Sequence, residues 1–196
     1  MSIRRFMLLF LLAPVALAQD GDAALARLLE GNARYVESRA ARPDQTPERR
    51  AEVATVQHPF ALVLGCADSR VPPEIVFDQG LGDLFVIRVA GNVLDDQVLA
   101  SIEYGVEHLH IPLVIVLGHE RCGAVVATID AEKTDTTLPG HLKALADAIR
   151  PAGQESKGAE DPVDASVRAN VQHVVHDILE EDVVEKLAEE HGLRVV

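Results

Sequence analysis

Phe60-Ala61-Leu62-Val63-Leu64 is a short apolar run, and Gly65-Cys66-Ala67-Asp68-Ser69-Arg70 follows it directly. A run this short, closed by glycine and without alternation, reads as a strand buried on both faces, as in a parallel sheet. Two more runs share the pattern. Residues 84–89 (LFVIRV) end at Ala90-Gly91, and residues 113–117 (LVIVL) end at Gly118. Helical segments are expected between and after them, at 72–78, 96–109 and 122–131. Strand–helix alternation of this kind predicts an α/β fold with a mostly parallel sheet flanked by helices. A fourth short strand is expected at 193–196.

Ligand sites in open parallel sheets form outside the carboxyl ends of the strands. Cys66, Asp68 and Arg70 follow the first strand, and His119 and Cys122 follow the third. If the two turns converge, Cys66, Asp68, His119 and Cys122 offer two thiolates, an imidazole and an oxygen, an inventory suited to tetrahedral zinc. His119 and Cys122 are expected about one helical turn apart at a helix start. Positive dipole character there would favour Cys122 as thiolate. Arg70 can hold the Asp68 carboxylate by two parallel hydrogen bonds. Blander readings stand beside these. Two cysteines in an exported protein can form one Cys66–Cys122 disulfide in a non-catalytic binding domain. Asp68 and Arg70 can be a weak surface ion pair.

The flanks organise around this centre. The chain has 196 residues, enough for one domain with a sizeable core. Its formal charge of −13 argues against a nucleic-acid partner. Aromatic residues make up 4% and tryptophan is absent, which argues against base-stacking platforms. Arg4 and Arg5 precede an apolar stretch ending in Ala16-Leu17-Ala18. Residues 1–18 therefore read as a signal peptide and 19–196 as the mature domain, with a periplasmic or secreted destination. The alternative is an uncleaved anchor, for which the stretch is short. No stable membrane span is expected after signal removal.

An N-terminal helix is expected at 23–36 with Asp22 as its cap, and a second at 48–56. Residues 141–149 read as a helix and 151–162, with two prolines and two glycines, as a surface loop. Residues 166–187 read as one long helical region whose apolar face includes Val167, Val171, Val174 and Ile178.

The two turns together, Cys66-x-Asp68-x-Arg70 and His119-x-x-Cys122, resemble the motif pair of β-class carbonic anhydrases. Leu28-Leu29-Glu30-Gly31-Asn32, Arg70-Val71-Pro72-Pro73, Arg88-Val89-Ala90-Gly91-Asn92 and Glu103-Tyr104-Gly105 resemble further segments of that family, in the same order. The resemblance covers nearly all of the mature chain and identifies it as a bacterial, exported member. It implies a sheet of order 2-1-3-4, an N-terminal helical arm that embraces a partner, and a homodimer or a multiple of dimers. It implies zinc at Cys66, His119 and Cys122, with Asp68 able to join the metal. It also implies a zinc lyase that converts carbon dioxide to bicarbonate and a proton through zinc-activated hydroxide. Asp68 and Arg70 would be the catalytic pair, and Gln79 and the backbone at Gly123 would contact bicarbonate. Hydrolysis of carbon disulfide or carbonyl sulfide on the same fold is the alternative substrate reading. The family usually continues into a last edge strand beyond the position of Val196, so that strand is expected to be absent.

Overall fold

The computed structural model describes residues 20–196. The signal peptide expected at 1–18 lies outside the described residues. Four parallel strands form one sheet: β1 (Ala61–Gly65), β2 (Leu84–Arg88), β3 (Leu113–Leu117) and β4 (Arg194–Val195). Their order is β2-β1-β3-β4, as the resemblance implied. Gly65 pairs with Arg88 on one side and with Leu117 on the other. The carboxyl ends of the three long strands are therefore level, and the turns that leave them are neighbours.

Alternation along the strands sorts side chains to two faces. Leu62, Leu64, Val114 and Val116 meet Val98 and Ile102 of α4 (Asp96–Glu103), Val174 and Ile178 of α7 (Pro162–Leu179), and Val184 of α8 (Asp182–His191). Ala61, Val63 and Leu113 meet Ala24 and Leu28 of α1 (Gly21–Val36) on the other face. Leu62, Leu64 and Leu28 have no exposed surface. Full burial of each contributes roughly 1.5–3 kcal/mol. A third cluster caps the carboxyl ends. It joins Cys66 and Cys122 to Val125 and Ile129 of α5 (Gly123–Lys133), Ile149 of α6 (Leu142–Glu155) and Val167 of α7. β1 is buried throughout and β3 nearly so, whereas β2 is half-buried because it is an edge strand.

Several expectations need correction. Asp20, not Asp22, caps α1: its carboxylate accepts the Asp22 N–H at 2.8 Å, and Asp22 instead pairs with Arg194 of β4. The second helix, α2 (Pro47–Glu52), is short and takes Thr46 as its cap. The short helix after β1 is α3 (Pro73–Val76). The segment after α4 widens into a π-helical turn, Tyr104–His108. Pro151 does not open a loop, because α6 runs through it to Glu155. Pro151 removes one helical hydrogen bond, but Ile149, Ala152 and Gly153 around it are buried. The long region at 166–187 is two helices, α7 and α8, broken at Glu180-Glu181. Among the described residues no helix is long and apolar enough to cross a membrane.

Candidate metal centre

Cys66 directly follows β1, and its chain position is fixed from three directions. The Ala67 N–H donates to the Val89 carbonyl at 3.2 Å. The Arg88 guanidinium at the end of β2 donates to the carbonyls of Cys66 at 2.9 Å and Asp68 at 2.6 Å. The Gly91 N–H donates to the Cys66 sulfur at 3.3 Å. Two residues on, Asp68 accepts from Arg70 three times: from the backbone N–H at 2.9 Å, Nε at 2.9 Å and Nη2 at 2.8 Å. This geometry is the bidentate pair the motif predicted, and it holds the Asp68 carboxyl well below the usual carboxylate range. Arg70 also reaches the Arg121 carbonyl at 3.3 Å, linking the two turns.

The turn after β3 is placed by close packing. A Cβ on Gly118 would lie 2.7 Å from Val171 and 3.1 Å from Val167 of α7, so a side chain here would force the turn or that helix to shift. His119 follows. Its Nδ1 lies 3.0 Å from the Glu120 carbonyl, an acceptor, so Nδ1 carries the proton and Nε2 the lone pair. The side chain is 7% exposed, and Nε2 is buried with no hydrogen-bond partner. Arg121 takes a left-handed conformation, φ 55°, before Cys122 caps α5. The expected helical spacing of His119 and Cys122 is thus corrected: His119 stands in the turn ahead of the helix, and Cys122 is its first flanking residue.

These elements bring three ligand atoms together. Sγ of Cys66, Sγ of Cys122 and a ring nitrogen of His119 all lie within 4.8 Å of one another, and all three side chains are buried. The sulfurs are 3.9 Å apart and both cysteines are free, so they do not form the disulfide of the alternative reading. Two zinc–sulfur bonds of about 2.3 Å at a tetrahedral angle place sulfurs about 3.8 Å apart. A buried nitrogen with an unshared lone pair and two thiols at that separation suit a zinc ion. The two sulfurs lie within hydrogen-bond reach of each other. Hydrogen bonding from Cys122 favours the thiolate on Cys66, and Cys66 together with burial pushes Cys122 up. The N–H groups at the start of α5 pull Cys122 toward the thiolate, as the dipole argument expected, while Cys66 and burial push the other way.

Asp68 stands beside this cluster, its Oδ2 3.8 Å from His119 Nε2, beyond hydrogen-bond distance. Gly123 opens α5 next to Cys122, with free space where a side chain would be. Gln79 is elsewhere. It is buried, its Nε2 donates to the Phe77 carbonyl at 2.8 Å, and its Oε1 has no partner. Sequence reasoning missed the part played by Arg88. A charged residue closing an apolar strand was the available signal.

The comparisons agree with this geometry. The family model described as Carbonic anhydrase matches residues 61–196. The chain belongs to the β-class carbonic anhydrase family. It is 50% identical to carbonic anhydrase 2 of Mycobacterium tuberculosis over 131 residues, which is 66% of this chain and 63% of that protein. Against the carbonic anhydrase of Mycolicibacterium smegmatis it is 48% identical over 130 residues, with the same coverage of 66% and 63%. The chain thus spans 63% of the length of these curated relatives. Among solved structures, the Aspergillus fumigatus β-carbonic anhydrase CafA superposes with a TM-score of 0.67 at 29% identity, covering 89% of this chain and 82% of that one. Coccomyxa β-carbonic anhydrase in complex with acetazolamide gives the same TM-score of 0.67 and identity of 29%, covering 87% and 79%.

Proposed function

We propose that this chain catalyses the reversible hydration of carbon dioxide to bicarbonate at a zinc ion held by Cys66, His119 and Cys122. The buried Cys66–His119–Cys122 cluster, with its unpartnered imidazole nitrogen, carries the reading. Family membership and the relatives named carbonic anhydrase support the substrate. Zinc, when bound, supplies Lewis acidity that activates water near neutral pH. The protein's own residues supply orientation. Asp68 presents a carboxylate that accepts a hydrogen bond from the activated water or hydroxide and so aims its lone pair at carbon dioxide. Arg70 keeps that carboxylate ionised and turned aside. The backbone at Gly123, at the positive end of α5, offers N–H groups to the forming bicarbonate.

Gln79 serves bicarbonate across a dimer interface in this proposal, which rests on the family resemblance. Exposed Leu29, Val36 and Ile75, together with the open edge of β2, support that assembly. The N-terminal stretch supports export to the periplasm or beyond.

Stopped-flow hydration of carbon dioxide by zinc-loaded protein tests the activity, with chelator-stripped protein and carbon disulfide as parallel arms. Turnover of carbon dioxide that vanishes on stripping and returns with zinc is expected. Zinc-loaded protein that turns over carbon disulfide alone would overturn the substrate assignment.

A further inference from the structure

Asn170 lies on α7, 3% exposed, 79 residues along the chain from Gly91. Its side-chain amide donates to the Gly91 carbonyl at 3.0 Å. That carbonyl belongs to the peptide joining Gly91 to Asn92, whose N–H donates to the Val89 carbonyl at 3.0 Å. The peptide is therefore held at both ends. The preceding peptide, across the Gly91 Cα, carries the N–H that meets the Cys66 sulfur at 3.3 Å. Gly91 is in the left-handed region, φ 71°, and a Cβ there would lie 2.7 Å from Ile149. Glycine is strongly favoured at this point, and glycine is also the residue freest to rotate. The turn itself restrains this peptide through the Asn92–Val89 bond, and Asn170 is the side chain from outside the turn that adds a second restraint.

We propose that Asn170 is a positioning residue for the metal centre, locking the peptide that follows Gly91 so that the Gly91 N–H, across the same Cα, stays on the Cys66 sulfur. The inference rests on the Cys66–His119–Cys122 reading above. An N–H on a metal-bound thiolate withdraws charge from sulfur and fixes its direction, and losing such a partner typically weakens metal binding by about 10- to 100-fold. A buried asparagine that satisfied only a stray carbonyl would stabilise the fold and leave the metal's properties alone.

Two readouts separate these roles: zinc affinity by chelator competition, and the thiolate-to-metal charge-transfer band of the cobalt-substituted protein. The full chain is compared with Asn170→Leu, which keeps bulk but not the donor, and with Asn170→Ser, which is too short to reach. The expected result is zinc binding weakened about tenfold or more and a shifted cobalt band in each variant that folds. Should Asn170→Leu fail to fold, Asn170→Ser decides. Unchanged affinity and an unchanged band in a folded variant would overturn the proposal, even if its thermal midpoint fell. A wild-type protein that binds neither metal would instead remove the site reading, and this inference with it.

Discussion

The turn after β1 and the turn after β3 meet at one point but are built on different principles. The first is held by directed polar bonds. Arg88 grips two of its carbonyls, Gly91 reaches its sulfur, and Arg70 clasps Asp68. The second is held by shape, with Gly118 pressed against Val167 and Val171. Charged bonds fix direction at a partly exposed site, where Asp68 has to remain reachable. Close packing fixes position where the imidazole has to stay dry. The difference teaches that the two ligand-bearing turns should fail in different ways.

The largest expected effect is on chemistry at the polar turn. Asp68→Asn keeps the shape but removes the carboxylate acceptor, and turnover should fall by at least about 100-fold, the scale of losing one transition-state hydrogen-bonding group. Zinc content and thermal midpoint should stay close to wild type. Unimpaired turnover measured by stopped flow would remove Asp68 from the mechanism. Next comes the packed turn. Gly118→Val forces a side chain into α7 and should destabilise the protein by about 1–3 kcal/mol, read from denaturant unfolding. Zinc should be lost with it, because His119 is the next residue. A variant as stable as wild type would show that α7 yields easily and that shape does not hold this turn. A smaller effect is expected from Arg88→Ala. It deletes two charge-assisted hydrogen bonds on an exposed side chain, so a loss of about 1–2 kcal/mol is expected, with weakened zinc retention and without the collapse of α7 contacts.

The same contrast explains what could be read from the sequence. The polar turn spells its function locally: Cys66, Asp68 and Arg70 are two residues apart, and each is chemically unusual after an apolar strand. β1 and β3 were legible because unbroken apolar runs ended by glycine have few other solutions in an α/β chain. Long-range packing was not legible. Nothing near Gly118 names Val167 and Val171, and nothing near Gly91 names Asn170, because those contacts depend on where α7 lands. Pro151 misled for a related reason. Its local preference is to end a helix, but burial of Ile149 against the cysteine cluster holds α6 together through it. The break between α7 and α8 carries no glycine or proline, only the run Glu180-Glu181-Asp182. A helical pattern therefore seemed to continue across it.

Acid should separate charge-held from packed regions in one experiment. Asp68 is held below the ordinary carboxylate range by Arg70. Asp78 is a second charge-held point. Burial pushes it up, but Arg34 at 2.6 Å and the N–H groups of Ala41 at 2.9 Å and Arg42 at 2.8 Å outweigh burial and bring it down. For a carboxylate lowered on folding, the stabilisation is complete above the unfolded value of about 3.9 and is lost as pH falls through the folded value. Nothing should therefore change at these points between pH 8 and pH 5. Below about pH 4 the segment around Ala41 and Arg42, which Asp78 ties to the body, should loosen first. The Gly118–Val171 contact contains no titrating group and should persist longest. Amide hydrogen exchange on the metal-free protein at pH 7 and at pH 3 can follow both regions. Early loss of protection at residues 39–42, with α7 still protected, is the expected order. Simultaneous loss would show that charge-held and packed regions unfold as one unit, and the contrast between them would then be geometric without being energetic.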